Sequence, residues 1–333
     1  MKSFILRIVL ILFAAAGLAG AVAWWYVQRP LPMGAEVVEF TVERGFNMRQ
    51  AARAIAEAGV DVHPEALYWL ARLEGKADRI VAGSYEAHAG ITASALIDKL
   101  FRGEVALGEL LLVEGWTFRQ VRAAIESHPH LIGDTAGLSE HEILERIGAD
   151  APHPEGLFFP DTYRFDRRSS ALALLKSAYD AMQQRLDRAW QQRDPALPLG
   201  SPYEALILAS IIEKETSRDD ERELVASVFA NRLRVGMRLQ TDPTVIYGFG
   251  DDFAGRLRRH HLQTDHEYNT YTRAGLPPTP ISMPGWDSLL AAVRPAQSEY
   301  YYFVARGDGS SHFSRNLNEH NRAVNKYQRG RGG

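Results

Sequence analysis

The sequence contains no cysteine and no large excess of either charge. Without a thiol, the chain has no disulfide scaffold, no thiolate zinc site and no cysteine nucleophile. The 38 basic and 41 acidic side chains give a formal net charge of −3. No lysine and arginine cluster appears that would neutralise phosphates, so we expect no nucleic-acid partner.

Apolar residues are plentiful by contrast. The 333 residues are 46% hydrophobic and 10% aromatic, which is enough to bury cores and excludes disorder over the whole chain. A chain of this length corresponds to about two domains at roughly 100–200 residues each.

One long uncharged run stands near the N-terminus, from Ile8 to Val27. At about 1.5 Å per helical residue it spans about 30 Å, the thickness of a bilayer core. With basic residues before it, the run predicts a cytoplasmic N-terminus over residues 1–7 and one transmembrane helix over residues 8–28. In a bacterium the following chain would be periplasmic, anchored to the cell inner membrane. The alternative is a cleaved signal peptide, because Ala21-Val22-Ala23 has the small-x-small form of a cleavage site.

A linker rich in proline and glycine is predicted over residues 29–36. Three segments then share one local pattern of β-prone residues, a glycine turn, a helix cap and an amphipathic helix, with turns at Gly45, Gly90 and Gly115. The first two segments predict a strand–helix–helix–strand unit. Residues 37–108 resemble a LysM-like module, a small fold associated with glycans that contain N-acetylglucosamine. A simple α+β spacer domain is the alternative.

Ser201-Pro-Tyr-Glu204 predicts the start of a helix that runs to about Ser217. Glu215 falls on the same stripe as the leucine and isoleucine residues of this helix, so its side chain is predicted to point inward. Loss of solvation raises the pKa of a carboxyl group, which suits a general acid. From periodicity alone, a structural glutamate paired with Arg218 or Arg232 is an equally open interpretation.

Polar side chains that suit a hydroxyl-rich ligand follow this helix, interleaved with strand formers. They are Gln240, Asp242, Thr244 and Tyr247. A plain turn at Asp242-Pro243 is the alternative. The pairs His128-x-His130 and His260-His261 have no further ligands in an ordered set beside them, so we predict no metal site.

Several longer strings carry a specific resemblance. They are Pro154-Glu-Gly156, Phe159-Pro-Asp-Thr-Tyr163, Ala209-Ser-Ile-Ile-Glu-Lys-Glu-Thr216, Phe229-Ala-Asn-Arg-Leu233, Gly236-Met-Arg-Leu-Gln-Thr-Asp-Pro-Thr-Val-Ile-Tyr247, Tyr268-Asn-Thr-Tyr271, Gly275-Leu-Pro-Pro278, Tyr302-Phe-Val304, His312-Phe313 and His320-Asn321. Together they resemble the membrane-anchored endolytic murein transglycosylases, the YceG-like or MltG family, over essentially the whole chain.

The resemblance implies an α+β fold with an N-terminal transmembrane helix, the LysM-like module and a mixed α/β catalytic domain over residues 109–333. It implies a lyase without a cofactor that cleaves peptidoglycan glycan strands at the inner membrane, with peptidoglycan synthases (penicillin-binding proteins) as candidate partners. The second glutamate of the Glu-x-Glu-Thr string, Glu215, would be catalytic. Candidate substrate-binding residues are Glu155, Gln240, Asp242, Tyr247 and Asn269.

Two other functions are compatible with parts of this pattern. One is a membrane-tethered glycan-binding module in which Glu215 is only a buried structural acid. The other is a lyase acting on a soluble metabolite, an activity sometimes attached to this family as aminodeoxychorismate lyase. The predicted anchor disfavours the second function, and no lysine is placed for a pyridoxal Schiff base.

Overall fold

A computed structural model of the chain describes residues 27–253 and 255–329, together with residues 10, 11, 13, 14, 17, 18, 20, 24 and 25. Ten of the 21 residues of the predicted transmembrane helix over residues 8–28 therefore lie outside the described residues, and the predicted cytoplasmic segment 1–7 lies wholly outside them. Within the described part of the chain, no helix is both long and apolar enough to cross a membrane.

The chain forms two compact units. The first comprises residues 1–108 and 164–168, and the second comprises residues 109–163 and 169–333. The regular elements of the first unit, ending with a strand that continues into the second, are β1 (Val37–Val42), α1 (Met48–Glu57), α2 (Pro64–Leu73), β2 (Gly83–His88), α3 (Ala93–Arg102) and β3 (Leu107–Leu111).

The predicted strand–helix–helix–strand order is confirmed in the first unit. β1 pairs antiparallel with β2, with Val37 opposite His88. The rings of Phe40 and Tyr85 stack at a centroid distance of 5.6 Å in its core. The phenol of Tyr85 is fully buried and donates a hydrogen bond of 2.7 Å to the carbonyl of Val81, so its polar atom is satisfied.

The repeated turn pattern is also confirmed. The glycines at its three turns, Gly45, Gly90 and Gly115, have φ values of 90°, 93° and 76°. A residue with a Cβ rarely adopts this backbone region, so glycine is required there. The side chains of Asn47 and Thr92 then accept hydrogen bonds from the backbone three residues on and cap α1 and α3.

The second unit is mainly helical. Its elements in chain order, with β5 divided between the two units, are α4 (Phe118–Glu126), β4 (Leu131–Ile132), α5 (Glu140–Ile147), β5 (Thr162–Asp166), β6 (Ser169–Ser170), α6 (Ala171–Gln191), α7 (Pro202–Glu215), α8 (Asp219–Arg234), α9 (Asp242–Phe249), α10 (Arg259–Gln263), α11 (Trp286–Val293), β7 (Tyr302–Ala305), β8 (Ser311–Ser314) and α12 (Leu317–Val324). β4 pairs parallel with β6, and β7 pairs antiparallel with β8 as a hairpin. A π-helical turn, Asn325–Arg329, follows α12.

Helix α7 is the central helix of this unit and packs against α6, α8, α9 and α11. It begins at Ser201, whose hydroxyl accepts the N–H of Glu204, and it ends at Glu215, two residues before the predicted end at Ser217. Every residue from Ala205 to Ile212 is buried. The helix therefore has no solvent face along most of its length, and the apolar stripe alone does not single out Glu215.

One segment differs from its sequence pattern. The strand formers after Asp242 lie in helix α9, and Asp242-Pro243 forms the first turn of that helix. Proline is tolerated in the first helical turn, where its missing N–H has no intrahelical partner in any case. Burial of Thr244 and Val245 then outweighs their β preference.

The proline-rich segment 275–285 contains no regular helix or strand, as its composition predicts. It is fixed to α7 at two places. The hydroxyl of Ser210 accepts the N–H of Ile281 at 3.0 Å, and the carboxylate of Glu213 accepts the N–H of Gly285 at 3.0 Å. The carboxylate of Glu213 thus has a structural partner on this segment.

Candidate active site

Glu215 is the last residue of α7, and the chain leaves the helix at Thr216 in an extended conformation. Its side chain is partly buried and lines a cavity of about 510 Å³ within the second unit. The predicted inward orientation is therefore observed, with the difference that the carboxyl group faces a cavity and not a sealed core.

The segment before α9 supplies a hydrogen-bond donor to this carboxyl group. The hydroxyl of Thr241 donates a hydrogen bond to Oε1 of Glu215. Thr241 itself is only 2% exposed, and its N–H donates to the hydroxyl of Thr270 at 3.0 Å. The donor is therefore held in place before any ligand binds.

Gln240 adjoins this donor in a backbone conformation that is rare for a residue with a Cβ, with φ of 49°. Its N–H donates to the carbonyl of Thr270 at 3.1 Å. Such conformations cost about 1–3 kcal/mol and persist where surrounding contacts impose them. Here they bring the exposed Gln240 side chain to the wall of the Glu215 cavity.

Arg232 contributes a positive charge and joins two backbone segments by hydrogen bonds. Its guanidinium is buried and donates to the carbonyl of Leu239 at 2.5 Å and to that of Tyr301 at 2.7 Å. It forms no ion pair with Glu215 among the described residues, and Arg218 pairs instead with Asp220 at 2.6 Å. The paired-glutamate interpretation of Glu215 is therefore not supported by the geometry.

A second acid, Asp242, lies in the same cavity. The phenol of Tyr271 donates a hydrogen bond of 2.5 Å to its carboxylate. Further walls are aromatic, with the ring of Tyr302 stacked on that of His320 at a centroid distance of 5.2 Å. Polar groups combined with aromatic faces suit a ligand that carries many hydroxyl groups.

The environment of Glu215 favours its protonated form. Burial raises the pKa of this carboxyl group to about 7, and the nearby negative charge of Asp242 acts in the same direction. The hydrogen bond from Thr241 and the charge of Arg232 oppose this rise. The resulting pKa near neutrality lets one group both give up and regain a proton at physiological pH.

Glu155 and Tyr247 form a separate cluster. The N–H of Phe118, the first residue of α4, donates to Oε1 of Glu155 at 3.0 Å, and the Tyr247 hydroxyl donates to Oε2 at 3.1 Å. Glu155 is 3% exposed, and burial raises its pKa to about 7. The following residue must be glycine, because a Cβ at Gly156 would lie 2.4 Å from a carbon of Pro280.

The predicted binding residues thus fall into two groups. Gln240 and Asp242 line the cavity with Glu215. Glu155, Tyr247 and Asn269 are not among the residues that line it. Asn269 is fully buried, where its amide nitrogen donates to the carbonyls of His261, Leu262 and Thr264.

Sequence reasoning gave no role to Thr241, Tyr271 or His320 and named Arg232 only as an alternative ion-pair partner of Glu215, although all four lie in strings that carry the family resemblance. Thr241 contacts Glu215 across 26 residues, and Tyr271 contacts Asp242 across 29. Local periodicity does not report such contacts. The signal that the sequence does give at these positions is that they lie within the strings that carry the family resemblance.

No group of three or more histidine, cysteine, aspartate or glutamate residues that could hold a metal ion occurs in the described ranges. His260 and His261 lie ring to ring at 3.9 Å, and His261 also packs against Phe249. His128 and His130 lie 5.8 Å apart between ring centroids.

A family model described as the YceG-like family matches residues 40–326. Since the match covers most of the chain, this protein belongs to the YceG-like family. An endolytic murein transglycosylase of Bacillus subtilis (strain 168) is 30% identical over 307 residues, which cover 87% of this chain and 84% of the relative.

An endolytic murein transglycosylase of Streptococcus pneumoniae (strain D39) is 24% identical, and the alignment covers 97% of this chain but 65% of that longer protein. A crystal structure of a yceG-like protein from Listeria monocytogenes matches with a TM-score of 0.53 and 27% identity, covering 86% of this chain and 98% of the other. The mixed α+β fold is therefore that of a known YceG-like structure.

Proposed function

We propose that this protein is an endolytic murein transglycosylase, a lyase that cleaves the β-1,4 bond between N-acetylmuramic acid and N-acetylglucosamine within peptidoglycan glycan strands. Membership of the YceG-like family and two relatives of that activity support the reaction class. The observation that carries the catalytic assignment is Glu215, an acid with a pKa near 7 that faces a polar and aromatic cavity.

Glu215 first acts as a general acid. Its carboxyl proton passes to the glycosidic oxygen as the bond from that oxygen to C1 of N-acetylmuramic acid breaks. General acid catalysis of this kind contributes about 10²–10⁴-fold to a rate. Positive charge develops on the sugar ring, and the carboxylates of Glu215 and Asp242 lie in the cavity where that charge would be stabilised.

Glu215 then acts as a base. The hydroxyl on C6 of the same sugar attacks C1, its proton returns to the Glu215 carboxylate, and a 1,6-anhydro ring closes. Because the nucleophile belongs to the substrate, the reaction needs no water and no second activating carboxylate, unlike most glycosidases. The intramolecular attack also supplies a high effective molarity.

A matched pair of variants on α7 tests this assignment. We expect Glu215→Gln to abolish release of 1,6-anhydro products from purified glycan strands, measured by mass spectrometry, because an amide cannot donate the proton. Glu213→Gln is the control, since Glu213 lies two residues away and accepts a backbone N–H outside the cavity. Product from Glu215→Gln at the wild-type level would remove Glu215 from the mechanism and favour a glycan-binding role.

The site of action is also part of this proposal. The uncharged run from Ile8 to Val27 supports a single-pass anchor in the inner membrane, with residues 1–7 cytoplasmic and the chain after residue 28 periplasmic. Peptidoglycan synthases, which work on the same strands, are then candidate partners. Alkaline phosphatase fused after residue 329 should be active, whereas an inactive fusion would place the catalytic unit in the cytoplasm.

The LysM-like assignment of residues 37–108 is supported by the order β1, α1, α2, β2 and by the antiparallel pairing of its strands. A module of this kind would hold a glycan strand near the anchor. Binding of soluble chitooligosaccharides, titrated with the Glu215→Gln protein to exclude cleavage, tests whether this segment contributes more than a spacer. Binding that persists when residues 37–108 are deleted would assign the glycan contact to the second unit alone.

A further inference from the structure

We propose that a second cavity, formed by the β7–β8 hairpin and the C-terminal helix, binds the carboxylate-bearing stem peptide of the glycan strand. This inference rests on the proposed function, because it names a second part of the same substrate. The cavity has a volume of about 450 Å³ and is separate in its lining residues from the Glu215 cavity. Its ligand class is a short acidic peptide.

Basic side chains dominate the charge of this second cavity. Arg315, Arg322 and Lys326 line it, whereas its one acidic lining residue is Glu319. The carboxylate of Glu319 is occupied at the start of α12, where it accepts the N–H of Arg315 at 2.9 Å and the amide of Asn316 at 2.9 Å. Arg315 also pairs with Glu299 at 3.5 Å, so Arg322 and Lys326 supply the positive charge available to a ligand.

Two of these cations lie four residues apart on the same side of the C-terminal helix. Arg322 and Lys326 are both exposed, and neither forms an ion pair with another described residue. Like charges at this spacing destabilise a helix. Lys326 stands in the π-helical turn that follows α12, a feature that occurs frequently at functional sites. An anion between the two side chains would relieve their repulsion.

Partly exposed aromatic rings complete the cavity. Tyr300 and Phe313 lie 5.7 Å apart between ring centroids, and Tyr327 lies 5.7 Å from His312. Such rings provide apolar faces for the carbon chains of a peptide, while their edges leave room for polar groups. A combination of cations and rings fits an acidic peptide better than an uncharged sugar.

The same elements form walls of both cavities. On α12 and the turn after it, Leu317, His320 and Val324 face the Glu215 cavity, whereas Arg322 and Lys326 face the basic cavity. A helix with side chains is about 10–12 Å across. An extended peptide of four residues spans about 13 Å, a length comparable to the width of the helix that lies between the two cavities.

The test compares two substrates and three proteins. The substrates are glycan strands with intact stem peptides and the same strands after an amidase has removed the peptides. For the double variant Arg322→Gln/Lys326→Gln we expect at least fivefold slower cleavage of the peptide-bearing strands and unchanged cleavage of the bare strands. Arg294→Gln, at an exposed arginine outside both cavities, controls for the loss of surface charge and should behave as wild type.

A binding measurement separates this inference from the proposed function. Calorimetric titration of the Glu215→Gln protein with the tripeptide L-Ala-D-Glu-meso-diaminopimelate should show binding that the double substitution weakens at least tenfold. Amidation of the peptide carboxylates should weaken it similarly, and Arg322→Lys should retain it. Strands left uncut by the wild-type protein would contradict the proposed function while this titration still reports on the cavity. Cleavage of the peptide-bearing strands by the double variant at the wild-type rate, or tripeptide binding unaffected by the double substitution, overturns the inference.

Discussion

Glu155 and Glu215 are two glutamates of the same compact unit, and burial raises the pKa of each to about 7. Their surroundings differ. Glu155 is 3% exposed and is enclosed by the N–H of Phe118 and the hydroxyl of Tyr247, whereas Glu215 is partly exposed and faces a cavity. A perturbed pKa therefore does not by itself identify a catalytic acid, and access to a ligand decides between the two.

Each environment has its own consequence. The carboxylate of Glu155 lies at the first N–H of helix α4, where the helix dipole favours negative charge, and it links this helix to Tyr247 on α9. Helix α9 begins at Asp242 in the Glu215 cavity. We therefore assign Glu155 a structural role and Glu215 a chemical role, and the following experiments test that division.

The largest expected effect is a loss of activity without a loss of stability in Glu215→Gln. Glu215→Gln should lower the rate of strand cleavage by about 10³-fold or more, because the proton donor is lost, and should leave the melting temperature nearly unchanged. Glu155→Gln should lower the rate by less than about tenfold. Rate assays and thermal unfolding of both variants measure this, and equal rate losses would erase the proposed division.

The next effect concerns stability. Glu155→Leu removes an acceptor and leaves the buried N–H of Phe118 and the hydroxyl of Tyr247 without a partner. Each such group costs about 1–3 kcal/mol, so the free energy of unfolding should fall by about 2–6 kcal/mol in denaturant titrations. Tyr247→Phe, which removes one hydrogen bond only, should cost about 1 kcal/mol. A Glu155→Leu protein as stable as wild type would show that this cluster does not hold the fold.

The pH dependence of stability provides a third test. The pKa of Glu155 rises from about 4.5 in the unfolded chain to about 7 in the folded protein. The folded protein then binds the proton more tightly, so this contribution to stability is fully present below pH 4.5 and is lost as the pH rises through 7. Relative to Glu155→Gln, wild type should lose up to about 3 kcal/mol between pH 5 and pH 8. Parallel stability curves for the two proteins would contradict the raised pKa.

The smallest expected effects are opposite shifts in the pH dependence of activity. A general acid must be protonated, so cleavage should decline as the pH rises above about 7. Thr241→Val removes a hydrogen bond that lowers the Glu215 pKa and should move this decline to higher pH by roughly 0.5. Asp242→Asn removes a negative charge that raises the Glu215 pKa. This variant should move the decline in cleavage to lower pH by a similar amount. If both variants shifted the decline in the same direction, a group other than Glu215 would control the pH dependence of cleavage.

The sequence predicted the local structure well where caps and glycine turns determine it. The strand–helix–helix–strand order of the first unit is as predicted, and helix α7 begins at the predicted Ser201 cap. Helix α9 was missed because its β-branched residues suggest an extended segment, and only tertiary burial favours the helix. Capping and turn chemistry are local, whereas this burial depends on residues distant in the chain.

The site was predictable in part for the same reason. The helical periodicity predicted that the Glu215 side chain points inward. The strings that carry the family resemblance include the positions around it. Other contacts at the site join distant parts of the chain. They are the hydrogen bond from Thr241 to Glu215, the hydrogen bonds from Arg232 to backbone carbonyls, and those from Phe118 and Tyr247 to Glu155. Nothing in a single sequence indicates which of two inward glutamates will face a cavity.

Asp242 provides the strongest rival mechanism. It lies in the same cavity as Glu215, and a glycosidase that hydrolyses its substrate uses a second carboxylate to activate water or to attack the sugar. The two mechanisms differ in the source of the oxygen atom that forms the new bond to C1. Lytic cleavage takes the oxygen from C6 of the sugar, whereas hydrolysis takes it from solvent.

Cleavage of purified glycan strands in water enriched in oxygen-18 tests this difference most directly. The account predicts that every new N-acetylmuramic acid end carries the 1,6-anhydro ring, is one water lighter than a reducing end, and contains no oxygen-18. Reducing ends labelled with oxygen-18 would contradict the account and would make this protein a hydrolase with two working carboxylates.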